Sequence, residues 1–452
     1  MFKKVLSLGL MTVMLASSVS VFAGEVDPAK WALSELNDAE AYGVAPKDFE
    51  KGLNNVVSPE QMSFIIQGLR NKCIEAKLVA STNTEVKLGT TRGEVLEAYY
   101  TVLKDYSGLD LKNDYIAYMS ENQIIKGYGK EDLRLQQPCT VQEALVFASR
   151  VVESVYDQLG LGTDGFLWEV SDENNTIYLL GTVHIGKSEV YPLSKGLRKA
   201  IEASDKVSFE VDFANQEGMM YLAQKQMYLD GTTLDNHVDE ETYKRIVALM
   251  EQYGVPEEQT KYYKPWALSN TLTALTAQDT ESLEAVATYP VIDAYVYSKA
   301  LLEDKEILEI EGYAFQADLL DGIPVDYQIQ SLKAGLDMVE AIQSGEGNAE
   351  TAEAAQAEVE MMNSWIQMMK VRDIEGFEAS YPKDSGIESG DIMTKALFEG
   401  RDAHMTEKVV EYLNDTTDAN YFVAVGAGHM IGKEGIVKRL QELGYTVKVV
   451  ER

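Results

Sequence analysis

Leu179-Leu180-Gly181-Thr182-Val183-His184 and Val423-Ala424-Val425-Gly426-Ala427-Gly428-His429 decide how this chain is read. Each is a short apolar run that ends in glycine, two further residues and histidine. Runs of that length and composition read as buried strands. A glycine at the strand end, here Gly181 and Gly426, lets the chain turn sharply and delivers the histidine to the rim of a sheet, where α/β proteins place their sites. The chain holds four histidines (His184, His237, His404 and His429), so two in one context form a pattern. Spacing alone leaves two readings open: a functional pair, or strand-end histidines that cap loops or pack in the core.

Outward from these strands the texture alternates. Leu167–Val170 and Thr176–Leu180 flank Ser171-Asp172-Glu173-Asn174-Asn175, a hairpin signal. Lys206–Phe213, Glu306–Glu311, Tyr421–Val425 and Thr446–Val450 supply further strands. Helical patterns fall at Pro192–Ala203, Glu240–Ala277, Pro290–Leu302 and Asn348–Lys370. The predicted class is α/β, a mixed central sheet with surrounding helices. Leu159-Gly160-Leu161-Gly162-Thr163-Asp164-Gly165 reads as a linker (160–165) ahead of this domain (166–452), and a mostly helical region (24–159) precedes it.

The N-terminus bears on compartment. Met1-Phe2-Lys3-Lys4, an uncharged apolar run over Val5–Val21 and the small-residue exit Val21-Phe22-Ala23 read as a secretory signal cleaved after Ala23. No later run is long and apolar enough for a transmembrane anchor. The expectation is a secreted, extracellular or wall-associated protein. Its 73 acidic residues against 40 basic ones give a net charge of -33, which repels nucleic acid. The two cysteines, Cys73 and Cys139, could pair in an exported chain or remain buried thiols.

A metal site needs carboxylates beside the imidazoles. In Phe209-Glu210-Val211-Asp212-Phe213 strand alternation puts Glu210 and Asp212 on one face, and Glu309 and Glu311 repeat the pattern in the fourth strand. Two histidines with one or two carboxylates suit manganese, cobalt, zinc or iron. His237 reads as a loop residue and His404 as a helix-surface residue. No HExxH motif, P-loop, dinucleotide fingerprint, or Ser or Cys triad is present. Met361-Met362 through Met368-Met369 read as helix-packing residues, with an adaptable peptide-binding lid as the sharper alternative.

From about Phe166 to the C-terminus the chain resembles the TraB/GumN family, within the wider set that includes Tiki-type proteases and ChaN/EreA-like proteins. Leu180-Gly181-Thr182-Val183-His184, Tyr191-Pro192-Leu193, Glu210, Lys264-Pro265-Trp266, Ile292-Asp293, Glu311 with Gln316, Arg401-Asp402 and Gly426-Ala427-Gly428-His429 follow the family order. Two departures stand out: the usual glycine before Asp293 is Val291 or Ile292, and Arg-Asn is Arg401-Asp402. The resemblance implies metal-assisted hydrolysis, with a peptidase as the leading form. His184 and His429 would bind a divalent metal (Mn, Co or Zn). Glu210 would be a ligand or the general base, with Glu311 in reserve, and Arg401 would stabilise developing negative charge or orient a substrate carboxylate. The alternatives are a non-catalytic protein that sequesters a peptide signal or metal, and a wall-associated structural protein.

The helical region repeats one logic. Pro59-Glu60-Gln61, Thr91-Arg92-Gly93-Glu94 and Thr140-Val141-Gln142-Glu143 each start a helix, and the last two keep the cap-to-acid spacing of a capping box. The units resemble S-layer homology (SLH) modules, although only Thr91-Arg92-Gly93-Glu94 preserves that family's helix start. The resemblance implies binding of secondary cell-wall polysaccharide through Thr91, Arg92 and Glu94; a helical spacer that binds nothing is the other reading.

Overall fold

The computed structural model describes residues 28–45, 52–112, 114–127, 132–278, 289–344 and 349–451. The expected export signal at residues 1–23 lies outside them.

Six strands form one mixed sheet: β1 (Phe166–Ser171), β2 (Thr176–Thr182), β3 (Lys206–Phe209), β4 (Glu306–Glu309), β5 (Asn420–Gly426) and β6 (Val447–Val449), in the order β4-β3-β5-β2-β1-β6. The β1–β2 hairpin is antiparallel, and its turn is held by Asp172 Oδ1, which accepts from the backbone of Asn174 and Asn175, both at 2.8 Å. β6 runs antiparallel along β1, whereas β2, β5, β3 and β4 are parallel neighbours. Helices cover β2, β3 and β5, which are largely buried, whereas the edge strand β4 is partly exposed.

Register places the two histidine motifs side by side. Gly181 lies opposite Val425 and Thr182 opposite Gly426, so β2 and β5 end together. Phe209 of β3 lies opposite Ala424 on the other side of β5, so Glu210 leaves β3 at the same rim. The glycines act differently from expectation. Gly426 has φ -52° and ψ 135°, and Gly181 is not in the left-handed region. What Gly181 provides is room: a Cβ there would stand 3.0 Å from the Ala427 Cα.

β3 and β4 stop earlier than the alternation predicts, at Phe209 and Glu309. Beyond Phe209 the Glu210 carbonyl accepts from Glu311 N and Gly312 N, and the Glu309 carboxylate accepts from Asp212 N at 2.8 Å. These bonds turn both chains out of the ladder. Glu210 and Asp212 therefore do not share a strand face, and neither do Glu309 and Glu311.

The N-terminal helices are α1 (Leu33–Ala41), α2 (Pro59–Glu75), α3 (Arg92–Lys104), α4 (Tyr115–Glu121) and α5 (Val141–Leu159). Complete capping boxes open α2 (Ser58 with Gln61), α3 (Thr91 with Glu94) and α5 (Thr140 with Glu143). Of the three residues assigned to wall polymer, Arg92 is turned into the interior. Arg92 is buried, pairs with Glu143, donates to Leu133 O at 3.2 Å and lies over the Phe147 ring. Thr91 and Glu94 satisfy each other at the helix start, so the three side chains serve the fold. Cys73 and Cys139 are free, buried thiols, and burial pushes the Cys73 thiol up to about 12.

These helices share a core with the sheet. Ala32, Leu36 and Ala39 of the first turns are fully buried in the same apolar cluster as β2 and β5. Polar groups cross the seam as well. Asp38 takes the Lys299 ammonium at 2.9 Å and the Tyr295 hydroxyl, while Lys72 Nζ donates to the carbonyls of Ser188 and Tyr191, both at 3.0 Å. The glycine-rich stretch is tied down too: Thr163 N donates to Pro192 O, Asp164 N to Lys370 O and Gly165 N to Met369 O. Met362 and Met369 are core residues beside Trp365 and Ile366, which favours the packing reading of that methionine-rich helix. Among the described residues no helix is long and apolar enough to cross a membrane.

Candidate metal centre

The rim where β2, β5 and β3 end gathers His184, His429 and Glu210. His184 follows β2 by two residues; His429 sits on the short helix Ala427–Met430 that continues β5. Both imidazoles are buried, at 6% and 0% exposure, and Glu210 at 1%. Glu210 Oε1 lies 4.0 Å from His429 Nε2 and accepts from Gly426 N at 2.8 Å.

Each imidazole is oriented by a carboxylate. His184 Nδ1 is 2.9 Å from Asp293 Oδ2, and Thr182 Oγ1 donates to the other oxygen of Asp293 at 2.7 Å. His429 Nδ1 is 2.6 Å from Asp402 Oδ1. A carboxylate on Nδ1 holds the proton there and leaves the Nε2 lone pair outward, the arrangement that supports metal-ligating histidines. Both Nε2 atoms are buried and lack a hydrogen-bond partner. Burial opposes a charge on His184, but the adjacent Asp293 carboxylate outweighs it and raises the imidazole pKa above its ordinary value.

Arg401 is not free to meet a substrate, nor is it a surface pair. It is buried and donates to Glu311 through Nε at 2.8 Å and Nη2 at 2.6 Å, to Glu210 at 3.0 Å and to Leu397 O at 3.1 Å. Gln316 donates to both carboxylates, at 2.9 Å to Glu210 and 3.1 Å to Glu311. Burial disfavours the Glu210 anion, yet Arg401, His429 and His184 together bring its pKa down to about 2. Both oxygens of Glu311 accept from Arg401. Asp212 stands apart, accepting from the Tyr297 hydroxyl at 2.6 Å.

The other histidines lie elsewhere. His237 stacks on Tyr228 with ring centroids 4.2 Å apart and reaches Thr232 Oγ1 at 2.9 Å. His404 Nε2 lies 3.2 Å from Ile310 O.

The donor chemistry fits a divalent metal. Two unpartnered imidazole nitrogens and one ionised carboxylate are what such an ion takes. Charge supports the fit. Four buried carboxylates (Glu210, Asp293, Glu311, Asp402) face two buried cations (Lys383, Arg401), a deficit of two positive charges with both imidazoles neutral. Uncompensated buried charge is costly, and a dication would balance it. Among the described residues, however, no group of three or more His, Cys, Asp or Glu side chains is already gathered at metal-holding spacing.

Sequence reasoning did not single out Lys383, and it met Asp402 only as the departure from Arg-Asn in the family motif, with no link to His429. Asp293 had a signal: it is an acid in the first turn of the apolar helix Ile292–Leu302.

Comparison with known proteins adds a family. The TraB/PrgY/gumN family profile matches residues 166–449. The chain is similar to "Metalloprotease TIKI homolog" of Nematostella vectensis, 22% identical over 323 residues, 64% of this chain and 67% of that protein. It is similar to "Metalloprotease TIKI2" of Xenopus tropicalis, 23% identical over 316 residues, 63% of this chain and 60% of that protein. "Metalloprotease TIKI1" of Xenopus tropicalis is 22% identical over 317 residues, 63% of this chain and 61% of that protein. The chain thus spans about three fifths to two thirds of these relatives. No solved structure matches it.

Proposed function

The chain belongs to the TraB/PrgY/gumN family, and we propose that it is an exported metal-dependent hydrolase of peptide bonds, its metal held by His184, His429 and Glu210. The observation that carries this reading is the pair of buried, unpartnered Nε2 atoms, each with its Nδ1 fixed on a carboxylate. Relatives that bear the name metalloprotease support it.

A bound Mn, Co or Zn ion would supply Lewis acidity and lower the pKa of a water. The chain's own groups prepare for that chemistry. Asp293 and Asp402 fix the tautomers, and Arg401 neutralises part of the carboxylate charge. Arg401, 3.0 Å from Glu210 Oε2, holds that carboxyl below the usual carboxylate range, and an ionised carboxylate suits a ligand. Peptide or protein is the proposed substrate.

A wall-associated location is proposed on the three repeated capping-box helix starts, through exposed faces of the helical region and not through Arg92. Co-sedimentation of the full chain with purified wall sacculi tests it; a protein left wholly in the supernatant overturns it.

One observation favours a second reading. Both oxygens of Glu210 already accept hydrogen bonds, as do both of Glu311, so a protein that binds metal or peptide without turnover is the rival. The test is metal content of the purified chain beside a His184→Ala/His429→Ala variant, followed by a peptide-library screen. Stoichiometric metal lost in the variant, with metal-dependent cleavage, is expected. Metal without cleavage would favour the rival. No metal in either protein after addition of manganese, cobalt and zinc overturns the metal site.

A further inference from the structure

Lys383 belongs to no motif read in the sequence, yet it is the most enclosed lysine near the site, at 1% exposure. It opens the helix Lys383–Ser389. Its ammonium is spent on one short stretch of chain. It donates to Gly428 O at 2.8 Å and to Ile431 O at 2.7 Å, the carbonyls one residue before and two after His429. Its third neighbour, at 2.6 Å, is Asp402 Oδ2, on the carboxylate whose other oxygen holds His429 Nδ1. Phe398 closes the cluster, its ring 4.9 Å from the ammonium and 5.1 Å from the imidazole.

His184 has no such arrangement. Its carboxylate, Asp293, is held by the neutral hydroxyl of Thr182. The two imidazoles therefore share a first partner and differ in the second. A buried ion pair is weak evidence for stability, since apolar residues of like volume often serve as well. What apolar residues cannot do is hold a carboxylate and two carbonyls in fixed relation to a ring.

We propose that Lys383 is a positioning residue that sets the tautomer and ring plane of His429. It clamps Asp402 and both flanking carbonyls, so that Nδ1 carries the proton and Nε2 turns towards Glu210. This deepens the metal-centre reading and rests on it for the purpose of Nε2, but the clamp can be measured without metal.

The test is imidazole 15N–1H NMR of the metal-free full chain at alkaline pH, where four histidines give a tractable spectrum. In the unaltered protein His429 is expected as the Nδ1–H tautomer. In Lys383→Met its signals should shift to a tautomer mixture while those of His184 stay put, and cobalt affinity should fall about 10–100-fold. A merely structural role would move both histidines or neither. An Nε2–H tautomer of His429 in the unaltered protein, or an unchanged His429 in a folded Lys383→Met variant, overturns the proposal. Should the variant not fold, the unaltered protein decides through the Lys383 ammonium: a slowly exchanging signal supports the clamp, and a freely exchanging one removes it. If no metal binds at all, the tautomer result still stands and only the metal reading fails.

Discussion

Arg401 Nη2 meets Glu210 Oε2 at 3.0 Å, with both side chains no more than 4% exposed. The guanidinium also holds Glu311, so one cation serves two buried carboxylates. Arg401→Met leaves both without their main counter-charge and should lower stability by about 3–5 kcal/mol, the range for breaking a buried pair from one side. Urea unfolding measures it. A loss below about 1 kcal/mol, the scale of an exposed pair, would mean that water reaches the site freely.

The pH profile has a definite sign. Arg401 beside it holds the Glu210 carboxyl below its ordinary 4.5 in the folded chain. Its contribution to stability is complete above the unfolded value and is lost as pH falls through the folded one. His184 is raised above 6.5, so its contribution is complete below that value and is lost as pH rises through the folded pKa. In the metal-stripped protein Glu210→Gln should flatten the acid limb of stability against pH, and His184→Ala should flatten the limb above neutrality. Unfolding midpoints across pH read both slopes; unchanged limbs would contradict the assigned environments.

Asp293 and Asp402 should matter to metal affinity without touching metal. Replacing either with Ala frees the Nδ1 of its imidazole and should weaken binding about 10–100-fold. Competition titration with a chromophoric chelator measures it, and circular dichroism checks the fold. Unaltered affinity in both variants would show that the carboxylates do not orient the ligands.

Asp38 joins α1 to the helix Ile292–Leu302 through Lys299 and Tyr295. Asp38→Ala leaves the partly buried Lys299 ammonium and the Tyr295 hydroxyl without their shared acceptor and should destabilise the chain by about 1–3 kcal/mol. The same continuity predicts one calorimetric transition for the whole protein and aggregation of an isolated 166–452 fragment. Two separated transitions, or a soluble, cooperatively folded fragment, would show independent units.

The sheet and the placing of the two histidines at one rim were legible because apolar runs ending in Gly-x-x-His encode both the strand and the residue that follows it. The carboxylate partners were not. Asp402 and His429 stand 27 positions apart, and Asp293 and His184 stand 109 apart. Only the packing of helices on the sheet rim brings them together. Arg401 was recognised, but nothing local reveals that its guanidinium points inward to Glu210 and Glu311. Strand alternation misled at Glu210 and Asp212, because hydrogen bonds accepted by the Glu309 carboxylate and the Glu210 carbonyl end the ladder at Phe209.

The shared core bears on how such a chain can diverge. A helical layer packed against the sheet is bound by shape. Arg92, once turned inward to Glu143 and Phe147, answers to its neighbours in the helical region, and Ala32, Leu36 and Ala39 answer to one apolar cluster with the strands that carry the histidines. Drift in the outer loops of that region is cheap, whereas a methyl group added at Ala39 would be felt across the same packed interior.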